Sequence, residues 1–368
     1  MTSRRKTNRR QFLKGQAALE AIDELTRSSL PAEPSDPSQV PAAARGATYL
    51  VQVARAAMAC EFAVFLNAGQ HPEGAELAVQ ALDLVERLED QMTVYRSHSE
   101  ISRINRHAAT EAMPVERRLC ELLAQALDLH QATQGAFDIT STPLSKVWGF
   151  YRRAGRIPTG IEVGEVRERV GSQWVELDRD QGTIRFRKTG IEINLGGIGK
   201  GYALDRCAEF LQHVGIENFL IHGGQSSVLA RGSRTIDSPE QNGWTVGLRH
   251  PLRPDRRLAE FYLRDRAMGT SGTGTQFFHH KGRRYGHILD PRTGQPAEGV
   301  LSSTVIAPGA AVADALATAC YVMGVEQSLE FCRQRPELSA VLVTAGERSG
   351  TIDVHAIGLE ENQWRRLS

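Results

Sequence analysis

Five cysteines in 368 residues (Cys60, Cys120, Cys207, Cys320 and Cys332) are scattered and form no C-x-x-C pair, so neither a disulfide framework nor a zinc site is indicated. Formal net charge is only +1, so no overall field draws the chain to nucleic acid or to an anionic membrane surface. A run of about 18 apolar residues, the minimum for a membrane-spanning helix, is missing, and no internal repeat is visible. Three familiar loops are missing too. Asn194 stands where a Walker A loop needs its first glycine, and Gly201 replaces the hydroxyl residue after Lys200. The Rossmann G-x-G-x-x-G is absent, and no G-x-S-x-G elbow surrounds Ser271, which leaves a serine hydrolase little support.

What is present is a globular chain, 41% hydrophobic and long enough to bury a sizeable core. Residues 1–45 read as a flexible basic and Pro-rich tail, and residues 46–368 as the folded domain. The run Arg9-Arg10-Gln11-Phe12-Leu13-Lys14 resembles a twin-arginine export signal, but Glu20, Asp23 and Glu24 fall where its apolar region belongs. We read it as a degenerate signal and expect a cytoplasmic protein, export through the twin-arginine-like segment being the alternative.

Apolar spacing predicts a strand pair over 48–66 and helices over 72–90, 115–131 and 200–214. Two short strands flank Asp180-Gln181-Gly182, and further strands are expected at 219–221, 244–248, 259–263 and 303–306. Strands in runs with helices interspersed, and no steady βαβ alternation, give an α+β fold with mixed, largely antiparallel sheets packed with helices. The polar stretch 152–170 reads as a surface insertion.

Four short constellations carry possible chemistry. Leu195-Gly196-Gly197-Ile198-Gly199-Lys200-Gly201 lies between a strand and a helix, where backbone N–H groups and the helix N-terminus face an anion; a glycine turn required only for packing is the other reading. Asp314 and Thr318 sit four apart at the start of a helix, so a carboxylate and a hydroxyl share one face, hard oxygens of the kind Mg²⁺ prefers; an acid near a helix start and a core-facing Thr are the plain alternative. His287 precedes a turn built from Asp290-Pro291 and Thr293-Gly294 and is suited to move a proton, or is structural. The run 269–274 offers hydroxyls useful near phosphates, or is a plain loop. His279 and His280, beside Lys281 and Arg283, read as a solvated hairpin tip. Together the four suggest metal-assisted chemistry at a phosphate ester or anhydride.

Several of these segments, in order, resemble the ApbE family of FAD:protein FMN transferases. The resemblance covers 51–324: Met58-Ala59-Cys60, the run from Tyr95 to Asn105, Gly135-Ala136-Phe137-Asp138, Pro143-Leu144 with Trp148-Gly149-Phe150, then 196–205, 287–296 and 307–324. It implies an ApbE-like fold in which Met58, Tyr95, Ala136, Phe137, Asp138, Asn194, Lys200 and Ile288 contact FAD. It also implies Mg²⁺ held by Asp314, Thr318 and the Gly197 carbonyl, and a catalytic His287. The implied reaction is Mg²⁺-dependent transfer of FMN from FAD to a threonine hydroxyl of an acceptor flavoprotein, such as a redox-complex subunit, with release of AMP. Its rivals are an FAD pyrophosphatase on the same scaffold and a non-catalytic FAD-binding or flavin-delivery protein. The chain departs from the family pattern at Asn194, usually Asp, at Gly197, where Ala or Thr is common, at Thr273, usually Asp, and at Gln225, which replaces an acid that often follows Gly223-Gly224.

Overall fold

The computed structural model describes residues 49–234, 243–272, 274 and 276–367. The twin-arginine-like segment and the whole of the expected tail, together with Thr273, lie outside the described residues.

The chain begins with β1 (Leu50–Ala57) and β2 (Cys60–Asn67), a hairpin whose two-residue turn, Met58-Ala59, has φ of 49° and 59°. Such primed turns favour Gly or Asn because both central residues need positive φ, and here two side chains carry that strain. Glu89 on α1 (Gly74–Met92) holds the turn, its Oε2 accepting from Met58 N at 2.7 Å. α2 (Glu100–His107) starts at Ser99, whose hydroxyl accepts from Ser102 N. β3 (Met113–Pro114) and α3 (Arg117–Ala132) follow, then α4 (Thr142–Val147), a 3₁₀ turn at Phe150–Arg152, and α5 (Gly160–Arg167). β4 (Val175–Asp178) and β5 (Thr183–Phe186) pair around Asp180-Gln181-Gly182 and join β3 in a small sheet.

The rest of the chain builds the centre. It runs through α6 (Gly199–His213), β6 (Phe219–Gly223), β7 (Ser227–Arg231), β8 (Trp244–His250), β9 (Arg253–Leu263), β10 (Arg266–Gly272), β11 (Phe277–His280) and β12 (Arg283–Gly286). β13 (Ser302–Ala307), α7 (Ala310–Arg333), β14 (Ser339–Ala345), β15 (Ile352–Ile357) and β16 (Trp364–Arg366) complete it. Eight strands form one sheet in the order β1-β2-β6-β7-β10-β13-β14-β15, every neighbour pair antiparallel. The fold is α+β, with largely antiparallel sheets, as the sequence pattern implies.

Both faces of the sheet are covered, and successive side chains of a central strand therefore enter different cores. In β13, Val305 and Ala307 join the core that also contains residues of α1, α6 and α7, whereas Ile306 packs with Trp244, Val246 and Phe261 of the β8–β9 layer. A third cluster gathers α4, the 3₁₀ turn, α5 and the β11–β12 hairpin around Trp148 and Phe150. The stretch 152–170 is therefore not a surface insertion. Thr159 and Glu162 make a reciprocal capping box that starts α5, which buries Val163 and Val166.

Candidate active site

Two glycines decide how closely the site elements approach. A Cβ at Gly201 in the first turn of α6 would lie 2.0 Å from the Ala310 carbonyl oxygen, and one at Gly269 in β10 would lie 2.4 Å from that of Ala313. Only glycine lets α6 and β10 meet the backbone of α7 at these points. The start of α7 is fixed from α6 as well, because Asp205 accepts from Ala310 N at 2.7 Å and Ala311 N at 2.8 Å, a capping carboxylate supplied from another helix. Burial pushes the Asp205 carboxyl up against the pull of those two amides.

That packing brings Asp314 onto the N-terminus of α6. It is 7% exposed, and its oxygens accept from Gly201 N at 2.7 Å and Ser227 Oγ at 2.5 Å. Burial raises its pKa, while the positive charge of Lys200 and these two donors pull the other way. One turn on, Thr318 Oγ1 lies 2.9 Å from Ser271 Oγ. Gly197 faces the same place, since a Cβ there would come 3.3 Å from the Phe137 ring and 4.0 Å from Thr318 Oγ1. Asn194 shapes the loop: its Oδ1 accepts from Gly196 N at 2.9 Å, a turn-forming contact.

The residues at hand fit a hard divalent cation. One buried carboxylate, the Thr318 and Ser271 hydroxyls and a glycine-rich backbone offer oxygen only, and a carboxylate has about four lone-pair positions, of which Asp314 commits two. Among the described residues no three His, Cys, Asp or Glu side chains gather as a metal cluster. Mg²⁺ does not need one, because it usually takes one or two carboxylates and completes its shell with water and substrate phosphate.

Lys200, in the first turn of α6, is the cation that electrostatically links Asp314, His287 and Cys60. Burial lowers the His287 pKa below its usual value and Lys200 lowers it further. His287 Nδ1–H donates to the Gln276 carbonyl at 3.0 Å, an oxygen that can only accept. The neutral ring is thereby held with Nε2 unprotonated and able to take a proton. Gln276 is itself anchored, its Nε2 donating to the Phe150 carbonyl at 2.9 Å.

The remaining expected contacts divide. Met58 sits at the strained turn beside Cys60, and Ile288 is buried directly after His287. Tyr95 is 72% exposed, its ring tilted on that of Tyr151 at 5.3 Å, with Lys146 over the Tyr151 face. Ala136 and Phe137 are buried, the Phe137 ring against Gly197 of the glycine loop, but the carboxylate of Asp138 turns into the protein. It accepts from Thr140 N and Oγ1, Ser172 N and Oγ, and lies 3.2 Å from His130 Nδ1.

Sequence spacing gave no sign of Ser227, of the role of Gln276, or of Tyr151. It also misplaced the start of the hydroxyl run: Gly269 to Gly272 belong to β10, whose Thr270 and Ser271 pair with Thr304 and Ser303 of β13.

Residues 46–342 match the model of the ApbE family. The chain belongs to the ApbE family. A FAD:protein FMN transferase of Vibrio cholerae is 33% identical over 250 residues, 67% of this chain and 73% of that protein. One from Klebsiella pneumoniae is 30% identical over 76% of this chain and 85% of its own length. The crystal structure of the ApbE protein of Thermotoga maritima superposes with a TM-score of 0.73 at 29% identity, covering 83% of this chain and 96% of that one. The Pseudomonas stutzeri flavinyl transferase ApbE in its apo form also gives 0.73, at 26% identity over 84% and 95%. This ApbE member is thus a transferase by family, on a fold its relatives share.

Proposed function

We propose that the protein transfers FMN from FAD to a threonine hydroxyl of an acceptor flavoprotein, releasing AMP, in a Mg²⁺-dependent reaction. The observation that carries this reading is the convergence of the 194–200 loop, Lys200 and the Asp314–Thr318 face at one point, with a neutral His287 coupled to the same lysine. The names of the relatives support it.

In the proposed reaction the threonine oxygen bonds to the phosphorus on the FMN side of the diphosphate. The bond from that phosphorus to the bridging oxygen breaks, and AMP leaves with the oxygen. The proton of the attacking hydroxyl passes to Nε2 of His287, whose tautomer the Gln276 carbonyl holds. Lys200 and the loop N–H groups balance the charge of the diphosphate and orient it. Bound Mg²⁺, held by Asp314, Thr318 and the Gly197 carbonyl, would supply further charge neutralisation at the phosphates. Met58, Tyr95, Ala136, Phe137, Asn194 and Ile288 would position FAD; Asp138 would act indirectly, by fixing the backbone that bears Phe137.

Asn194 in place of an acid is compatible with this role, because the side-chain oxygen that accepts from Gly196 N is present in both residues. The test is to incubate purified protein with FAD and Mg²⁺ and measure AMP, with and without a peptide carrying threonine in a Ser-Gly-Ala-Thr context. Transfer gives AMP and a peptide heavier by one FMN phosphoester. FAD that binds without any AMP appearing would end the catalytic reading, and AMP with an unmodified peptide would make the enzyme a pyrophosphatase.

A further inference from the structure

The β11–β12 hairpin grows directly out of the candidate site. Its first strand follows Gln276 and its second leads into His287, so the two residues bonded to each other at its base are those that set the imidazole. One face is used internally: Phe278 and Tyr285 stack at 5.2 Å and lie against Phe150 and Trp148. The other face carries Phe277, 41% exposed, with His279 edge-on at 5.3 Å and the Arg284 guanidinium 3.8 Å over its ring. The hairpin is a sheet of two strands only, so among the described residues its outer edges pair with no third strand.

Charge on and around it is one-sided. Lys281 forms the tip, and Arg152 and Arg153 lie in the turn beside Gly155, against which Phe278 packs. None of these three makes an ion pair among the described residues, whereas the nearby acids Glu162 and Glu298 are already bonded to Arg156 and Arg283. The tip lies four strand residues from the base, roughly 13 Å at the usual rise. A dinucleotide reacting beside His287 has no use for cations at that distance. A polypeptide delivering a hydroxyl to His287 must, however, leave the site across an adjoining surface.

We propose that the outer face and edges of the β11–β12 hairpin, with the Arg152–Arg153 turn, are the docking surface for the acceptor, and that they take an extended acidic segment flanking its target threonine. This rests on the transferase reading. Main-chain pairing along a free strand edge would give affinity, Phe277 an apolar contact, and the cations a preference for acidic flanks.

The test uses the full-length protein and fluorescein-labelled peptides with Ser-Gly-Ala-Thr flanked by aspartates or by lysines, each also made with Ala for the threonine. Binding of the Ala peptides, read by anisotropy, needs no catalysis. The aspartate peptide should bind about tenfold more tightly at low ionic strength, the difference shrinking with salt. In Lys281→Glu combined with Arg153→Glu the preference should reverse, while AMP release from FAD without peptide stays as in wild type. Equal affinities, or a preference that survives the charge reversal, would overturn the proposal. A clear binding preference with no flavin on the threonine peptide would instead remove the acceptor as occupant and place the failure in the transferase reading.

Discussion

Asp138 and Asp314 are equally buried, yet the regions around them treat a carboxylate in opposite ways. Between α3 and α4, Asp138 receives two backbone amides, two hydroxyls and a histidine ring, more partners than its lone pairs can serve singly. At the α6–α7 contact, Asp314 receives one amide and one hydroxyl, and the positive charge that acts on it, Lys200, makes no ion pair among the described residues. The His130 ring and the Thr140 donors outweigh burial for Asp138 and hold its pKa low, whereas burial dominates for Asp314 and raises it. A buried acid satisfied by its own chain is part of the scaffold. One kept short of partners costs stability and retains capacity for a ligand.

The sharpest break in that comparison should come from Asp138→Ala, which leaves His130 Nδ1 with only the Phe137 carbonyl at 3.1 Å and strands four donors. Removing one member of a buried, bonded pair costs about 3–5 kcal/mol, so the midpoint of denaturant unfolding should fall far below wild type. Linkage adds a pH signature. The low pKa of Asp138 contributes stability above the unfolded value of 3.8 that is lost as pH falls through the folded one. The pKa of His130 is raised by its bond and charge contact with Asp138, against burial, so its contribution is full below 6.5 and lost as pH rises through the raised value. If Asp138→Ala unfolds like wild type at pH 5.5, the scaffold assignment is wrong.

Asp314→Asn should show the converse. An amide can accept from Gly201 N and donate to the Ser227 hydroxyl, so both contacts survive while a desolvated charge disappears. Stability is expected to hold or rise, and AMP release to drop roughly 10²- to 10³-fold, the scale on which a positioned electrostatic group acts. Calorimetry alongside an AMP assay at graded Mg²⁺ separates the two. A variant that melts early yet keeps its turnover would make Asp314 another Asp138.

The same contrast explains what could be read from the sequence. The Asp314–Thr318 spacing and the 194–200 loop are local features, set by helix geometry and by glycine, so both were legible before any contact was known. Ser227 reaches Asp314 across 87 residues, a distance fixed only by the register of β7 on β10. Gly269 looked like part of a loop because its neighbours are small and polar; in the sheet its missing side chain is what admits α7. In 152–170, charge masked a capping box and a valine stripe that need the third cluster to have meaning.

A smaller effect tests whether the environment of His287 belongs with the site or with the scaffold. Burial and Lys200 lower its pKa, so the imidazole stays neutral, and competent as a base, to pH values below the ordinary 6.5. The acid limb of kcat/KM should therefore fall below pH 6.5. Gln276→Glu keeps the side chain's size but replaces the N–H donor to the Phe150 carbonyl with a carboxylate that the carbonyl repels. The Gln276 main chain, and with it the acceptor for Nδ1–H, then loses its anchor, and the ring can sample the other tautomer. We expect about a tenfold loss in kcat, a fraction of what a general base supplies, with KM for FAD little changed. Nitrogen-15 shifts of His287 should report mixed tautomers in the variant and one in the wild type, while Gln276→Arg, which restores a donor, recovers most of the rate. An acid limb at or above 6.5 in the wild type, or a single tautomer in Gln276→Glu, would show that the carbonyl only packs against the ring and does not set its protonation.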